Sequence, residues 1–534
     1  MAVKEFDAVV VGAGFTGIYQ LYKFRQMGIN AIALEAGTGV GGTWYWNRYP
    51  GARTDSESRV YQYWFSDELL EEWDWSERFP AQEETERYLN FVADKFDLKR
   101  DIQFNSRVTG ATYDESSKRW TITTENGDTY SSQFFVMGAG GLSVPLTPDI
   151  PGVEDFQGIK LHTSRWPQEG IDLAGKRVGI IGTGATGIQV IQTIAEEVGS
   201  LTVFQRTPNW AIPMVNPKLD DEERRKLRAD YPKTKEQVNE TFGGHFWGSD
   251  ETPFFEVDKA VRDARLQELW DDGSLKFWVG SYADLFMEEE VSQVFSEFAA
   301  ERIRARVNDP DLAEKLVPTD HQFGTRRVPL ETHYFEAYNR DNVHLVDLNE
   351  DPIDHVDASG IVTRSGHHDL DILIFATGFD AGTGALTTVD IRGRGGRLLR
   401  DEWDKNGINT YLGLQIHGYP NMFMVMGPMS PAAAFCNVPT CLQQQVDWIS
   451  DCVGFVRDKG SDAIEATAEA EAAWGAHHDE TAAEALVTKT DSWYTGANIE
   501  GKPRRLIAYI GGVPAYQAHC DQERDSGFSH SVLY

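Results

Sequence analysis

Three glycines near the amino terminus have the spacing of a phosphate-binding turn. Gly12, Gly14 and Gly17 follow the apolar run "FDAVVV" and precede a helical pattern. Between a strand and a helix, the first such glycine allows a tight turn, the second lets a diphosphate approach the backbone, and the third lets helix and strand pack closely. Glu35 ends the next strand, where a carboxylate accepts hydrogen bonds from a ribose. The sequence therefore predicts a dinucleotide site.

A second set of glycines repeats this spacing in "RVGIIGTGATG", at Gly182, Gly184 and Gly187. Where an acidic residue would follow at the end of the next strand, this unit has Arg206 and Thr207 instead. A guanidinium there attracts a 2′-phosphate, which predicts NADPH rather than NADH. The alternative is that Arg206 only pairs with a surface carboxylate.

Two dinucleotide sites in one chain indicate one cofactor that stays bound during turnover and one that arrives to reduce it. A flavin is a stable acceptor of hydride, and a nicotinamide is a mobile donor. We therefore expect FAD at the first site and NADPH at the second.

The elements around both motifs predict an α/β fold with two Rossmann-like dinucleotide-binding domains, as in glutathione-reductase-like flavoproteins. Residues 101–140 alternate like antiparallel strands, with a hairpin at Asn126-Gly127. Residues 215–321 are charged with helical spacing, and Asp309-Pro310 predicts the start of a helix there. "DLDILIFATGFDA" and "NMFMVMGP" predict two further buried strands. The expected domains are residues 1–145 and 372–534 for FAD, residues 146–214 and 322–371 for NADP, and residues 215–321 as a helical insertion.

The length and charge of the chain limit the kinds of partner that it can bind. The chain has 534 residues, 41% of them hydrophobic, which predicts two or three domains with real cores. Its 83 acidic and 50 basic residues give a formal charge of −33, which disfavours nucleic acid and anionic membrane surfaces. No apolar run approaches the roughly 18 residues of a membrane span. We expect no nucleic-acid partner and no membrane.

The four cysteines match no paired metal-ligand spacing, so no metal site is predicted. They are interpreted as buried thiols in a reducing compartment. The chain enters a strand by Phe6, which leaves no room for a signal peptide. We therefore expect a cytoplasmic protein, and the sequence does not predict its oligomeric state.

Two longer motifs carry a family resemblance. "FQGIKLHTSRWP" fits FxGxxxHxxxW[PD], and "GTWYWNRYPGARTD" fits GxWxxxx[FY]PGxxxD. Together with both glycine motifs, "ATGFD" and "WYTGANIEGK", the chain resembles the type I Baeyer–Villiger monooxygenases over nearly its full length. The resemblance implies that NADPH reduces FAD, that O₂ forms a C4a-peroxyflavin, and that this species converts a ketone, cyclic or bulky, into an ester or lactone.

The resemblance also implies a catalytic arginine. "FGTRRVPLETHYFEAYN" is similar to the family segment that carries it, which places it at Arg327, with Asp55 as its orienting carboxylate. A permanently cationic group suits both the peroxide and the developing oxyanion. Arg326 falls where the family has a lysine facing the 2′-phosphate; this departure keeps the charge and changes the contact geometry.

Further residues are assigned to the cofactors by the same resemblance. Thr43 and Trp44 are expected along the flavin, and Trp493 is expected to fix a cofactor ribose. The other residues expected to contact a cofactor are Phe15, Asp55, Tyr61, Val108, Thr183, Thr186, Thr207, Arg326 and Arg327. The fingerprint residues Phe156, Gly158, His162, Trp166 and Pro167 are expected to act through the interdomain linker. Taken without the family, His162 and Trp166 are better explained as packing residues. The small residues of "MSPAAAFCNVP" are expected to leave room for a bulky ketone.

Three other readings stay open at this stage. A flavin monooxygenase that oxidises nitrogen or sulfur shares both glycine motifs, although its linker motif usually has Tyr or Phe where Trp166-Pro167 stand. A flavin disulfide reductase would carry a cysteine pair where Trp44 is. A non-catalytic NADP-sensing protein would need neither Arg327 nor Asp55.

Overall fold

The computed structural model describes residues 3–432 and 435–534. The strands are β1 (Lys4–Val11), β2 (Ala31–Leu34), β3 (Ile102–Gln103), β4 (Val108–Asp114), β5 (Arg119–Thr124), β6 (Thr129–Met137), β7 (Ile159–His162), β8 (Arg177–Ile181), β9 (Ser200–Gln205), β10 (Ile212–Pro213), β11 (Leu330–Glu331), β12 (Val343–Asp347), β13 (Ile353–Val356), β14 (Gly360–Thr363), β15 (Gly366–Asp369), β16 (Ile372–Phe375), β17 (Asp390–Arg392), β18 (Met422–Met424), β19 (Ile464–Ala466) and β20 (Ser531–Leu533). The helices are α1 (Phe15–Gln26), α2 (Thr43–Trp46), α3 (Asp67–Glu72), α4 (Gln82–Lys95), α5 (Ala185–Ile194), α6 (Asp221–Glu240), α7 (Lys259–Asp272), α8 (Lys276–Val279), α9 (Glu289–Arg306), α10 (Pro310–Leu316), α11 (Tyr334–Ala337), α12 (Gly384–Thr387), α13 (Leu399–Asn406), α14 (Val438–Asp458), α15 (Ala468–Ala482) and α16 (Val513–Asp525).

The first sheet is built around the amino-terminal glycine motif. Its strand order is β17-β4-β5-β6-β1-β2-β3, with β18 paired to β6. β1 is parallel to both β2 and β6, and its residues from Ala8 to Val10 are fully buried, as expected for a parallel strand covered on both faces. The β5–β6 hairpin predicted at Asn126-Gly127 is confirmed, with Gly127 at a φ of +79°.

The second sheet carries the second glycine motif. Its order is β12-β9-β8-β16-β7, and every one of these pairings is parallel. β16 pairs with both β8 and β7, so the predicted domain boundary at residue 371 is wrong by one strand. A short buried strand ending in glycine has the same pattern in either sheet, so its sequence does not tell which sheet it joins.

Helices fill the segment predicted to be an insertion. Within residues 215–321 the structure has α6 to α10, and Asp309 caps α10 directly before Pro310 as the sequence predicts. Phe254, Phe277 and Phe295 from this segment pack into the same apolar cluster as the second sheet. The insertion therefore packs onto the second domain and shares its hydrophobic core, rather than forming a separate domain.

The segment after α2 joins the two sheets. Tyr49 donates to Oε1 of Gln189 at 2.9 Å, and Gln189 in turn donates to the carbonyl oxygen of Arg53 at 3.2 Å. Gly51, at a φ of +82°, lies so close to α5 that an added Cβ would be 2.1 Å from Oγ1 of Thr193. This loop of the first domain is thus seated directly on the helix that follows the second glycine motif.

Candidate active site

The first glycine motif forms the turn between β1 and α1. Gly12 has a φ of +96°, and a Cβ on Gly17 would lie 1.9 Å from the carbonyl oxygen of Gly12, so both positions require glycine. α1 begins at Phe15, and no side chain caps it. The N–H groups of its first turn therefore remain available for a phosphate.

Glu35 is held beside this turn by the backbone. Its carboxylate accepts the N–H of Ala13 at 2.8 Å and the N–H of Gly37 at 2.6 Å. Burial raises the pKa of Glu35 above its ordinary value, although the two N–H groups act in the opposite direction. Glu35 thus fixes the turn itself, a role that its spacing alone did not predict.

A cavity of about 540 Å³ opens beside the first motif. Its walls include nine of the residues predicted to bind a cofactor, which are Gly12, Gly14, Phe15, Glu35, Thr43, Trp44, Tyr61, Val108 and Trp493. This volume lies within the roughly 300–1,000 Å³ of ligand sites. The glycine turn, the uncapped helix and the cavity together fit FAD.

Several residues of this cavity were missed by the sequence analysis. Arg107, Met137, Ser143, Arg165 and Met426 also line it. Met137 ends β6, and the "GAGG" that follows was a detectable signal of a second close approach to the cofactor. The others come from segments with no pattern of their own.

Trp44 and Tyr61 form one unit in the cavity wall. Nε1 of Trp44 donates to Oη of Tyr61 at 3.2 Å, and the two rings pack edge to face. Burial raises the pKa of Tyr61 to about 12, so its hydroxyl stays protonated at neutral pH. The pair gives the cavity a rigid, uncharged section of wall.

The second glycine motif has the same backbone geometry. Gly182 has a φ of +108°, and a Cβ on Gly187 would lie 2.2 Å from the carbonyl oxygen of Gly182. A Cβ on Gly184 would meet nothing within 4 Å, so open space lies where a diphosphate would approach. Oγ1 of Thr183 donates to the carbonyl oxygen of Thr207 at 2.9 Å and ties this turn to the end of the next strand. These features fit a dinucleotide.

Arg206 stands directly after β9 and is exposed. Within residues 3–432 and 435–534, no carboxylate oxygen lies within 4.0 Å of its guanidinium nitrogens, so the alternative of a surface ion pair finds no partner. Arg326 differs, because it pairs with Asp320 at 3.0 Å and donates to the carbonyl oxygen of Asp491 at 3.0 Å. Part of the Arg326 guanidinium is therefore already engaged by the protein.

Arg327 and Asp55 are brought together from positions far apart in the chain. Nη2 of Arg327 donates to Oδ2 of Asp55 at 2.6 Å, and Oδ1 of Asp55 accepts the N–H of Leu330 at 3.4 Å. The Asp55 side chain is 5% exposed, whereas Arg327 keeps 33% of its side-chain surface open. Burial alone would lower the pKa of Arg327, but the charge of Asp55 and its hydrogen bond raise the pKa above its ordinary value. The result is an oriented, permanently charged guanidinium with room on one side.

This pair adjoins both cofactor sites. The pKa of Tyr61, in the wall of the cavity, is affected by the charges of Arg327 and Asp55, and so is the pKa of Tyr49, which is bonded to α5. Neither Arg327 nor Asp55 is among the residues that line the 540 Å³ cavity itself. Both therefore lie close to Tyr61 in the cavity wall and to the loop that contacts α5.

The fingerprint residues form an edge strand and the turn after it. His162 ends β7, accepts the N–H of Ser164 on Nδ1 at 3.2 Å, and so has Nε2 free to donate to the carbonyl oxygen of Leu146 at 3.2 Å. Burial lowers the pKa of His162, which keeps the ring neutral. Phe156 and Trp166 are buried, and an added Cβ on Gly158 would lie 2.5 Å from the carbonyl oxygen of Asp371. The motif thus holds the linker in place by packing and hydrogen bonds.

The cysteines depart from the prediction of four separate thiols. The sulfur atoms of Cys436 and Cys441 lie within bonding distance of each other, whereas Cys452 and Cys520 are buried free thiols. A turn before α14 brings the first two together, which residue spacing alone does not reveal. Across the described residues there is no cluster of three or more side chains suited to a metal ion. Nor does any described helix combine the length and apolar character of a membrane span.

Two uncapped glycine turns, each at the end of a parallel strand, and an arginine–carboxylate pair between them define a flavoprotein oxidoreductase with two dinucleotide sites. The family model for pyridine nucleotide-disulphide oxidoreductases matches residues 9–241. Acetone monooxygenase (methyl acetate-forming) from Gordonia sp. (strain TY-5) is 51% identical, over 100% of both chains. A Baeyer-Villiger monooxygenase from Pseudooceanicola batsensis is 39% identical, over 99% of this chain and 96% of that one. A crystal structure of OTEMO in complex with FAD and NADP superposes with a TM-score of 0.95 at 41% identity, over 100% of both chains.

The chain belongs to the Baeyer–Villiger monooxygenases, as the resemblance implied. It is an NADPH-dependent flavoprotein monooxygenase with FAD and NADP as its cofactors. The reading as a non-catalytic NADP-sensing protein is thereby excluded. So is the disulfide reductase, because Trp44 and Tyr45, at the start of α2, occupy the position of its cysteine pair.

Proposed function

We propose that the enzyme inserts one oxygen atom into the bond between a carbonyl carbon and its neighbour, converting a ketone into an ester or, for a cyclic ketone, a lactone. The balanced reaction takes ketone, O₂, NADPH and H⁺ to ester, NADP⁺ and H₂O. The observation that carries this proposal is the Arg327–Asp55 pair, 2.6 Å from Nη2 to Oδ2, between the two cofactor sites. When bound, FAD and NADPH supply the hydride transfer and the activation of O₂.

In this proposal Arg327 stabilises negative charge. Its guanidinium stays protonated at every physiological pH, and a third of its side-chain surface is free to face a ligand. Oxygen insertion makes the ketone oxygen anionic as the carbonyl carbon becomes tetrahedral. A cation already in place at that point costs no reorganisation when the charge develops.

Asp55 orients this arginine and does not touch the substrate. Its second oxygen accepts the backbone N–H of Leu330, so the carboxylate is fixed at both ends. A guanidinium that is paired on one side can rotate little, which directs its remaining N–H groups towards the open side. The Trp44–Tyr61 unit in the cavity wall helps to exclude water from the reacting atoms.

We further propose which residues hold each cofactor. FAD is assigned to Gly12, Gly14, Phe15, Gly17, Glu35, Thr43, Trp44, Tyr61, Val108 and Trp493, and NADP is assigned to Gly182, Thr183, Gly184, Thr186, Gly187, Arg206, Thr207 and Arg326. The open space at Gly184 and the unpaired guanidinium of Arg206 support the second assignment. The domain limits remain part of the proposal, with the second domain extended through Phe375 to include β16.

The substrate class is a ketone, and we propose cyclic or bulky ketones as its members. The name of the Gordonia relative, acetone monooxygenase, favours a small open-chain ketone as the second candidate. Phe435, in the stretch expected to leave room, packs against Tyr494 and Phe286 with ring centroids 5.6 and 6.1 Å apart. Ala433 and Ala434 of the same stretch lie outside the described residues.

The test is a product screen with purified enzyme, FAD and NADPH. Cyclic ketones, acetone, a thioether and a tertiary amine are each incubated under air, and the products are identified by mass spectrometry. Lactones from the cyclic ketones support the proposal, and methyl acetate alone favours the small-ketone candidate. Sulfoxides or N-oxides without any ester from any ketone would refute ketone oxidation and favour a heteroatom monooxygenase.

We also propose a cytoplasmic location, because the reaction consumes NADPH. Fractionation of the source cells with detection of the native enzyme checks this. Recovery with secreted or periplasmic proteins would contradict it.

A further inference from the structure

Arg165 lies in the fingerprint segment, yet its side chain reaches the cavity of the first domain. It directly precedes Trp166 in the turn after β7, an edge strand of the second sheet. It is nevertheless among the residues that line the 540 Å³ cavity together with Gly12 and Glu35 of the first domain. A residue of one domain therefore contributes to the cofactor site of the other.

The guanidinium of Arg165 has no negative partner in the protein. Within the described part of the chain, no carboxylate oxygen lies within 4.0 Å of its nitrogens, in a molecule with 83 acidic residues. Nη1 donates to the carbonyl oxygen of Ser164 at 2.7 Å and Nη2 to that of Ser143 at 3.3 Å. Because a guanidinium has five N–H groups, most of its donors remain unused.

A second positive charge faces the same cavity. Arg107 also lines it, and its nearest carboxylate oxygen, on Glu125, is 3.8 Å away at an exposed position. Burial, with the charge of Arg107 as a smaller contribution, lowers the pKa of Arg165. Arg107 is exposed, whereas Arg165 is half-buried, so the unpaired charge of Arg165 raises the free energy of the empty protein and an anion beside it would lower it.

The Arg165 side chain is also held in one direction. Its guanidinium lies 4.6 Å from the ring centroid of Trp46, which itself lines the cavity. Stacking on one face and two carbonyl oxygens fix the plane of the group, so little rotamer entropy is lost when an anion binds. This is the arrangement of a binding residue rather than of a solvated surface arginine.

We propose that Arg165 binds the diphosphate of FAD, so that the linker of the second domain holds the cofactor of the first. The diphosphate is the anionic part of oxidised FAD, and bidentate guanidinium–phosphate contacts are strong and directional. The linker then becomes ordered by FAD, which gives the fingerprint motif a physical connection to the flavin site. This inference depends on FAD occupying the cavity and not on which substrate is oxidised.

The experiment measures cofactor binding rather than turnover. FAD is removed from the full-length holoenzyme, and the apoprotein is titrated with FAD and, as a probe without phosphate, with riboflavin. Arg165→Ala, Arg165→Lys and the wild type are compared. The matched control is Arg302→Ala, because Arg302 is likewise stacked on an aromatic ring and without a carboxylate partner in the described residues, but lies in α9 away from the cavity.

We expect Arg165→Ala to raise the Kd for FAD at least about tenfold, as loss of a charge-assisted hydrogen bond does. Its Kd for riboflavin should stay close to that of the wild type, Arg165→Lys should recover part of the FAD affinity, and Arg302→Ala should change neither. An FAD affinity of Arg165→Ala equal to that of Arg302→Ala would overturn the proposal. Equal losses for FAD and riboflavin would also overturn it, since they would indicate an effect on cavity shape.

A second measurement covers the case in which Arg165→Ala does not fold. Arg165→Gln keeps the first three side-chain carbons and a polar end but removes the charge. FAD binding is then followed at rising NaCl concentration for the wild type and this variant. A weaker dependence of the variant on salt supports a diphosphate contact, and identical salt dependences refute it. Ketone oxidation plays no part in either measurement, so failure here leaves the proposed reaction untouched.

Discussion

At the scale of single residues, the proposed chemistry depends on one guanidinium and its orienting carboxylate. Arg327 and Asp55 are 272 positions apart in the chain, and their contact places a fixed positive charge between two cofactor sites. Histidine or lysine there would titrate or rotate, whereas arginine does neither readily. Most of the other site residues shape the cavity or the turns.

Arg327→Ala should separate reduction from oxygenation. NADPH should still bleach the flavin, because hydride transfer does not need this charge, while ester formation should fall at least about a hundredfold. Stopped-flow absorbance measures the first step and gas chromatography the second. Parental rates of ester formation in this variant would contradict the role of Arg327. Arg340→Ala, at an exposed arginine paired with Glu196, is the control.

Arg206→Ala should change the choice of coenzyme. Without the charged partner that we propose for the 2′-phosphate, the KM for NADPH should rise by about ten- to a hundredfold, whereas the KM for NADH should change little. Steady-state oxidation of each coenzyme, followed by its absorbance, gives both constants. An equal rise for both coenzymes would place Arg206 elsewhere than at the 2′-phosphate.

At the scale of elements, the loop after α2 is attached to helix α5 by hydrogen bonds and close packing, and we call this contact the loop–α5 joint. Tyr49 and Arg53 bond to Gln189 on α5, and Gly51 lies against Thr193 one turn further on. The same loop continues to Asp55. A shift of α5 therefore moves the carboxylate that orients Arg327.

Gly51→Ala should loosen this joint. An added Cβ would lie 2.1 Å from Oγ1 of Thr193 and 2.6 Å from the carbonyl oxygen of Gln189, and the φ of +82° is unfavourable for alanine. We expect a loss of about 1–3 kcal/mol in the free energy of unfolding, measured by urea denaturation of the holoenzyme. Gly170→Ala isolates the backbone effect, because Gly170 has a φ of +75° with nothing within 4 Å of an added Cβ. Equal losses in both variants would show that the contact with α5 is not tight.

At the scale of the whole molecule, a buried histidine makes the stability of the fold depend on pH. His245, in the helical insertion after α6, is buried and stacks on Trp247 with ring centroids 4.3 Å apart. Burial lowers the pKa of His245 to about 4, from 6.5 for an ordinary histidine. The folded state therefore prefers the neutral ring.

The pH dependence of stability follows from this difference. Because the folded pKa of His245 is the lower one, its contribution is fully present above pH 6.5 and is lost as the pH falls towards about 4. The loss should reach about 3 kcal/mol, measured as the free energy of unfolding across that window. His245→Gln should flatten this part of the curve. The same slope in both proteins would mean that His245 is solvated or paired.

Much of the fold was predictable because it follows from local patterns. Glycine turns after buried strands identified both dinucleotide motifs, and alternation identified the β5–β6 hairpin. The Asp-Pro start of α10 was equally clear. The assignment of β16 failed, because an all-apolar strand of four residues has no feature that selects one sheet over another.

The sequence by itself determined the two motifs, the charge at the end of β9 and the family, since each depends on residue types at short spacing. The family resemblance also implied that Asp55 orients Arg327, and the structure brings the two together. Only the tertiary structure decided that the loop of Gly51 rests on α5 and that Arg165 lines the cavity of the other domain. Such contacts join segments separated by tens to hundreds of residues. They are set by how strands order within sheets and how domains pack, which no local pattern of residues specifies.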